Sequence, residues 1–404
     1  MAKETENFSM PKPVVGHLLP PYNPFPPAYA AGTELRVEQV SLRQRLYAPL
    51  VICGAFDGQA IAENSRGVKI RRIRIGRVYR RLFQKITPWD PWPYSARMWR
   101  WVRREKADLL HIHNEPKLLG GLGRYIRSSG IPVIFHAANE KPIPPEAIPL
   151  VSRWVACSRY IREWMLRTYP IPQEKIEVIY TGVDVNSRKP IWNLPFDERS
   201  RIRERFGVSG QDRIVLSFAG RLVREKGVAE LLDFMEMVRK RFPFLLLLVA
   251  GNVRESDDPQ NEKAVYGRAM ARRMAGAEGV KWVGSLPPGE IHEFLLAGDI
   301  FMLPSLWADP FPTVMLEAAA AGLPILGSAR GGIPEFLAGC PPSCVIEEPE
   351  NPSSWVKNLE AFLRDPGLRE KVGRLLRKRV EDSYGWERVA RDCENLYDRV
   401  VGRA

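Results

Sequence analysis

The chain has 404 residues, of which 45% are hydrophobic and 26% charged; this is the composition of a globular protein, and the length leads us to expect two domains. Residues 1–10 are polar and the longest apolar run, 244–250, is far too short to span a bilayer, so neither a secretory signal nor a membrane helix is expected. The net charge is +13, and the five cysteines are scattered and odd in number, which argues against a disulfide framework and for a reducing cytosol.

In chain order, an apolar run at 14–19 leads into the proline-rich 20–27, then Ala30-Ala31-Gly32-Thr33-Glu34 and a helix-like stretch to Leu46. That order reads as strand, glycine loop, helix. Further strands are predicted at 50–53, 69–75, 109–113, 133–136, 154–156 and 177–180, with a helix at 119–128. The strands are uniformly apolar, which predicts a parallel sheet covered on both faces. The pattern restarts with a strand at 214–219, a helix at 228–241 and a central strand at 244–250. Strands at 280–283, 300–303 and 324–326 follow, alternating with helices. Residues 189–212 are polar, contain Pro190 and Pro195, and read as the inter-domain linker. The expected architecture is α/β, with two doubly wound domains facing a central cleft. Their bounds are 1–190 and 191–385, and a terminal helix, 386–404, packs back toward the first. Ligands of such sheets bind at the carboxyl ends of strands.

Two phrases carry most of the chemistry. Gly220-Arg221-Leu222-Val223-Arg224-Glu225-Lys226-Gly227 sets Arg221 and Lys226 on a glycine-bounded turn after a strand. Arginine offers a planar fork for phosphate and lysine a point charge. Taken alone, an ordinary solvated basic turn is the better reading. Asp309-Pro310-Phe311-Pro312-Thr313-Val314-Met315-Leu316-Glu317 sets two carboxylates eight residues apart across a helix start. Pro312 suits a first helical turn, and the helix N-terminus at Thr313 offers N–H groups to a phosphate. Asp309 as a mere cap would leave Glu317 unexplained on an otherwise apolar helix face.

Residues 214–335 resemble the C-terminal domain of retaining glycosyltransferases of the GT-B fold, which has two Rossmann-like domains. The family is the large one of lipopolysaccharide-core glucosyltransferases, phosphatidylinositol mannosyltransferases and sucrose synthases. The matching phrases are Ala219-Gly220-Arg221-Leu222, Glu225-Lys226-Gly227, Val283-Gly284, the stretch 309–317, the stretch 318–324 and Gly331-Gly332-Ile333-Pro334-Glu335. In the N-terminal half, Gly32-Thr33-Glu34, His111-Ile112-His113-Asn114, the strand ending at His136, Ala156-Cys157-Ser158 and Tyr180-Thr181-Gly182-Val183-Asp184 match more loosely. The resemblance implies that Arg221 and Lys226 bind the donor diphosphate, that Glu317 binds the nucleotide ribose and that Asp309 contacts the donor sugar. Gly32, Phe311, Thr313 and Val314 join the donor-binding set. His136 is placed beside the donor sugar, and His113 and Asn114 on the acceptor side. Asp309, His136 and Glu317 form the expected catalytic set. Asp309 stands where the family usually has Glu, and Pro312 where it usually has Gly, so the donor-sugar contacts depart from the pattern.

No dinucleotide or Walker A phrase is present, and no metal-binding Asp-x-Asp; Asp257-Asp258 beside Pro259 reads as a loop. No cofactor and no metal are therefore expected, the diphosphate being neutralised by side chains and a helix end. Cys340 and Cys344 read as loop thiols, a zinc site being a distant second. A lone strand-end histidine is more often a core residue than a catalytic one, and His111 is read that way.

Residues 66–106 hold fourteen Lys and Arg against Asp90 and Glu105, a net +12. Tyr94, Met98, Trp101 and Val102 fall at helical spacing with Arg97, Arg100 and Arg104 on another face, and Trp89, Trp92 and Trp99 add aromatic surface. An anionic membrane surface is the expected partner, against an ordinary helix with an apolar core face; nucleic acid is not expected. Taken with the resemblance, which implies retention of configuration, these features lead us to expect a retaining, metal-independent hexosyltransferase. It would use a nucleotide-sugar, by expectation a UDP-sugar, and a saccharide or lipid-linked acceptor in lipopolysaccharide or exopolysaccharide assembly. It would be cytoplasmic and peripheral on the membrane. A small soluble acceptor, or a non-catalytic glycan- or lipid-binding scaffold, are the alternatives.

Overall fold

The computed structural model describes residues 11–27, 31–76, 78, 92–210, 212–253, 258, 260–287 and 289–403, with the backbone alone at 92 and 93. Ala30, Trp89, Asp90, Asp257 and Pro259, named above, the side chain of Trp92, and residues 77 and 79–91 of the basic stretch lie outside the described residues. The chain divides into two compact units. Unit 1 comprises 1–157, 161–179 and 387–404; unit 2 comprises 158–160 and 180–386. Residues 180–190, grouped with the N-terminal domain in the sequence reading, thus lie in unit 2.

Unit 1 is built on eight strands: β1 (Val14–Leu18), β2 (Ala48–Gly54), β3 (Ala62–Ser65), β4 (Val68–Ile73), β5 (Leu109–His113), β6 (Val133–Ala137), β7 (Arg153–Ala156) and β8 (Ile176–Val178). Their order is β3-β4-β2-β1-β5-β6-β7-β8. All neighbours pair in parallel except β3, which joins β4 antiparallel at the sheet edge. The strand β3 was not foreseen: its sequence Ala-Glu-Asn-Ser is exposed on alternate residues and carries no apolar run. The central strands β2 and β5 are buried on both faces, which is why they read as unbroken apolar stretches.

Unit 2 holds β9 (Ile214–Ala219), β10 (Leu245–Ala250), β11 (Val280–Trp282), β12 (Ile300–Leu303), β13 (Ile325–Ser328) and β14 (Val345–Ile346), in the order β11-β10-β9-β12-β13-β14. All pair in parallel. The chain steps from β9 outward to β10 and β11, then returns to place β12 on the other side of β9. The switch point between β9 and β12 is where an open α/β sheet leaves a crevice at its carboxyl edge.

The stretch 189–212 is not a bare connector. It contains the helix Phe196–Arg205, whose Arg199 and Arg203 both bind the carboxylate of Asp299 at 2.9 and 2.6 Å. Its charges made it look like a linker; they are the outer face of a helix anchored on unit 2 beside the start of β12.

Candidate functional site

The loops after β9 and β12 meet at the switch point of unit 2. Gly227 is in the left-handed region at φ 72°, and a Cβ there would lie 2.0 Å from the carbonyl oxygen of Pro304. Only glycine lets the two loops approach this closely. The N–H of Leu306 donates to the Glu225 carbonyl at 3.0 Å, stitching the same two loops. On the far side, Gly331 and Gly332 pack against the backbone of Asp309 and Pro310, each with a hypothetical Cβ 2.1 Å from a carbonyl oxygen there. The Gly332 N–H donates to the Asp309 carbonyl at 2.8 Å.

This packing brings Lys226 and Asp309 together. Nζ of Lys226 lies 2.5 Å from Oδ2 of Asp309, with side-chain exposures of 17% and 7%. Trp307, partly exposed, places its ring 5.9 Å from the same ammonium. Arg221 is exposed, and its side chain has no hydrogen bond or ion pair among the described residues. The helix Thr313–Ala320 begins beside them. Pro312 is its N-cap, one residue earlier than a first-turn position, and no side chain caps the helix. Its leading N–H groups are therefore open to an anion. Thr313 and Val314 are half-buried at this end.

One turn on, Glu317 accepts from Nη2 of Arg188 at 2.9 Å. Burial pushes its carboxyl pKa upward, against the opposing pull of Arg188. Phe311 does not present its ring to solvent. It stacks on Tyr384 with centroids 5.7 Å apart and meets Tyr180 at 4.9 Å, leaving the residue 7% exposed. Glu335, in the short helix after Gly332, accepts from the Arg159 N–H at 2.9 Å, and burial pushes its pKa up to about 7. Arg188 and Trp307 were missed in the sequence reading. Arg188 meets Glu317 across 129 positions, and no local pattern announces such a pair.

In unit 1 the candidate residues collect at the carboxyl ends of β1, β5 and β6. Gly32 opens the helix Gly32–Ser41, which no side chain caps, and a Cβ on Gly32 would meet nothing within 4 Å. Asn114 takes a left-handed φ of 50°, and its Oδ1 accepts from the Ala138 N–H at 3.1 Å. Glu115 caps the helix Pro116–Ser129 and accepts from Tyr22 at 2.8 Å and Lys141 at 3.3 Å. His113 and His136 are each only 2% exposed. His113 turns inward, its Nε2 lying 3.0 Å from Nδ1 of His17, while both ring nitrogens of His136 are without a partner among the described residues. Burial lowers the pKa of both well below the usual imidazole range, so both are neutral at pH 7.

The helix Trp92–Arg104 corrects one expectation. Tyr94, Met98 and Val102 are fully buried, and the Tyr94 hydroxyl donates to the Leu19 carbonyl at 2.7 Å. Trp99 is buried against Tyr125, ring centroids 5.4 Å apart. The apolar face is domain core, not membrane-inserting surface. The charged face remains exposed. Arg74, Arg97, Arg100 and Arg104 line a hollow of about 490 Å³ together with Trp101 and Ile73. No helix among the described residues is long and apolar enough to cross a membrane.

Comparison with known proteins assigns the family. Residues 198–379 match the sequence model of "Glycosyl transferases group 1", and residues 40–187 that of "Glycosyltransferase Family 4". The chain belongs to the group 1 glycosyltransferases. This glycosyltransferase is 27% identical over 390 residues to a lipopolysaccharide 1,2-N-acetylglucosaminetransferase of Salmonella typhimurium, covering 93% of this chain and 96% of that one. It is 28% identical over 325 residues to an alpha-maltose-1-phosphate synthase of Mycolicibacterium smegmatis, covering 73% of this chain and 80% of that one. Among solved structures it resembles HepE of Anabaena, crystallised with UDP-glucose, with a TM-score of 0.72 at 17% identity over 95% of this chain and 99% of that one. The two parallel-sheet units are those of a GT-B glycosyltransferase.

Proposed function

We propose that this glycosyltransferase moves a hexose from a UDP-sugar, with retention of configuration, to a saccharide or glycolipid acceptor in cell-envelope polysaccharide assembly. The observation that carries the reading is the convergence of Lys226, Asp309, exposed Arg221 and the uncapped helix end at Thr313 on one switch point. The UDP-glucose bound by the structural neighbour and the lipopolysaccharide relative support the donor and the acceptor class.

Arg221, Lys226 and the N–H groups at Thr313 neutralise the diphosphate as the bond from the sugar C1 to the phosphate oxygen breaks. Glu317, oriented by Arg188, accepts from the ribose hydroxyls. Asp309 accepts from hydroxyls of the donor sugar. The acceptor hydroxyl attacks C1 from the face the diphosphate leaves, and its proton passes to the departing phosphate oxygen, so no enzyme nucleophile and no metal is required. His136, neutral and with neither ring nitrogen hydrogen-bonded among the described residues, is proposed as a hydrogen-bonding group for a sugar hydroxyl.

The exposed arginines of 66–106 draw the protein to an anionic membrane face by charge alone, as a peripheral cytoplasmic protein. Release of nucleoside diphosphate across a panel of UDP-, GDP- and ADP-sugars tests the donor assignment. NMR of the new glycosidic linkage tests retention. The maltose-1-phosphate synthase relative favours a second reading, a small soluble acceptor with the arginine-lined hollow holding its phosphate. Flotation with anionic liposomes separates the two.

A further inference from the structure

Four of the chain's five histidines stand in one buried cluster of unit 1. The strand register puts them on one sheet face. β1 pairs His17 with His111, β5 and β6 pair His113 with His136, and residues 111 and 113 are two apart on β5. Ring centroids of His111 and His113 are 4.1 Å apart, and those of His17 and His113 are 5.3 Å apart. Nε2 of His111 and Nδ1 of His113 are buried without a hydrogen-bond partner among the described residues. Polar atoms left so in a core are costly unless something binds them.

We propose that His17, His111 and His113 form a binding site for a divalent transition-metal ion of the zinc class. One nitrogen from each of the three lies within 4.8 Å of the other two. Two of the three outer nitrogens are already held, while Nδ1 of His113 has no hydrogen-bond partner among the described residues. Nε2 of His17 faces Oε1 of Gln44 at 3.4 Å, and Nδ1 of His111 faces the Tyr397 hydroxyl at 2.7 Å. Those contacts aim Nδ1 of His17 and Nε2 of His111 inward, toward Nε2 of His113, as second partners do for zinc-bound imidazoles. A metal takes the lone pair of a neutral imidazole, and all three rings lie in the core, at most 2% exposed. Three imidazoles without a carboxylate suit zinc, nickel or copper and not magnesium or calcium. Three protein ligands leave a fourth position for water or an anion. The ion would tie β1 to β5 beneath the helix Trp386–Val401. It belongs to unit 1, whereas the residues assigned to the diphosphate belong to unit 2, and it takes no step in transfer.

The test uses tag-free, full-length protein equilibrated with zinc chloride, gel-filtered and analysed for metal by mass spectrometry. The expected result is about one zinc per chain, a raised melting temperature on zinc addition, and the visible spectrum of a four-coordinate site on cobalt substitution. His17→Leu and His111→Leu are expected to abolish all three with the circular dichroism of the fold retained. Should either variant fail to fold, Gln44→Leu and Tyr397→Phe serve instead, with zinc affinity expected to fall at least about tenfold. Wild-type protein that retains no zinc, or variants that bind it as tightly as wild type, would overturn the proposal.

Discussion

Asp309 and Lys226 make opposite demands on the donor, and their pairing gives a sharp expectation for Asp309→Asn. A diphosphate oxygen on the Lys226 ammonium would sit roughly 5 Å from the Asp309 carboxylate, which already lies 2.5 Å from that ammonium. At an effective dielectric of about 20, two like charges at that distance repel by about 3 kcal/mol. Removing the Asp309 charge also frees the lysine for a charge-assisted bond of about 1.5–3 kcal/mol. Solvent at the 17% exposed lysine offsets part of this, so we expect UDP to bind about ten- to a hundredfold more tightly to Asp309→Asn. Transfer should nonetheless slow, because the sugar loses a charged acceptor for its hydroxyls. Titration calorimetry with UDP at 0.15 M salt, beside turnover of the donor-sugar, reads both. Lys226→Met is the counterpart. It strands Asp309, 5% exposed, without its cation, and should cost about 3–5 kcal/mol of stability as well as UDP binding. Unchanged or weaker UDP binding in Asp309→Asn would refute the competition between carboxylate and diphosphate.

Glu317→Gln and Arg221→Ala should each lower turnover about ten- to a hundredfold with the melting curve nearly unchanged, and near-wild-type kinetics in both would remove them from the donor site. Turnover should survive EDTA; loss restored by magnesium or manganese would show that a metal holds the diphosphate. Replacing Arg97, Arg100 and Arg104 by Ser should release the protein from anionic liposomes, each contributing about 1 kcal/mol, while UDP binding stays intact. The carboxyl of Glu335 titrates higher in the folded chain, at about 7, than unfolded, so the fold is favoured when it is protonated. Its contribution is full below about pH 4.5 and is lost as pH rises through 7. The melting temperature of wild type should therefore fall relative to Glu335→Gln across that window, and parallel curves would show that Glu335 is not strained by burial.

What the sequence reveals of this fold depends on how local each cause is. β10 is legible because both faces of a central parallel strand are covered, so Leu245–Ala250 is apolar throughout. β3 is not, because an antiparallel edge strand is held by its pairing with β4 and not by burial. The helix Trp92–Arg104 shows its amphipathic pattern plainly, yet the pattern is the same whether the apolar face meets a core or a lipid; only the burial of Tyr94, Met98 and Val102 decides. At the candidate site the motifs supply residue types and the glycines that admit close loops. They do not supply pairings. Lys226 meets Asp309 across 83 positions through the parallel strand order of unit 2, and Arg188 meets Glu317 across 129. The histidine cluster needs still more, since His17 joins His111 only in the β1–β5 register. A slip of one residue would turn His17 to the opposite sheet face and dissolve the cluster. Sheet order and register, which are long-range properties, convert legible residue types into the Lys226–Asp309 pair and the histidine cluster.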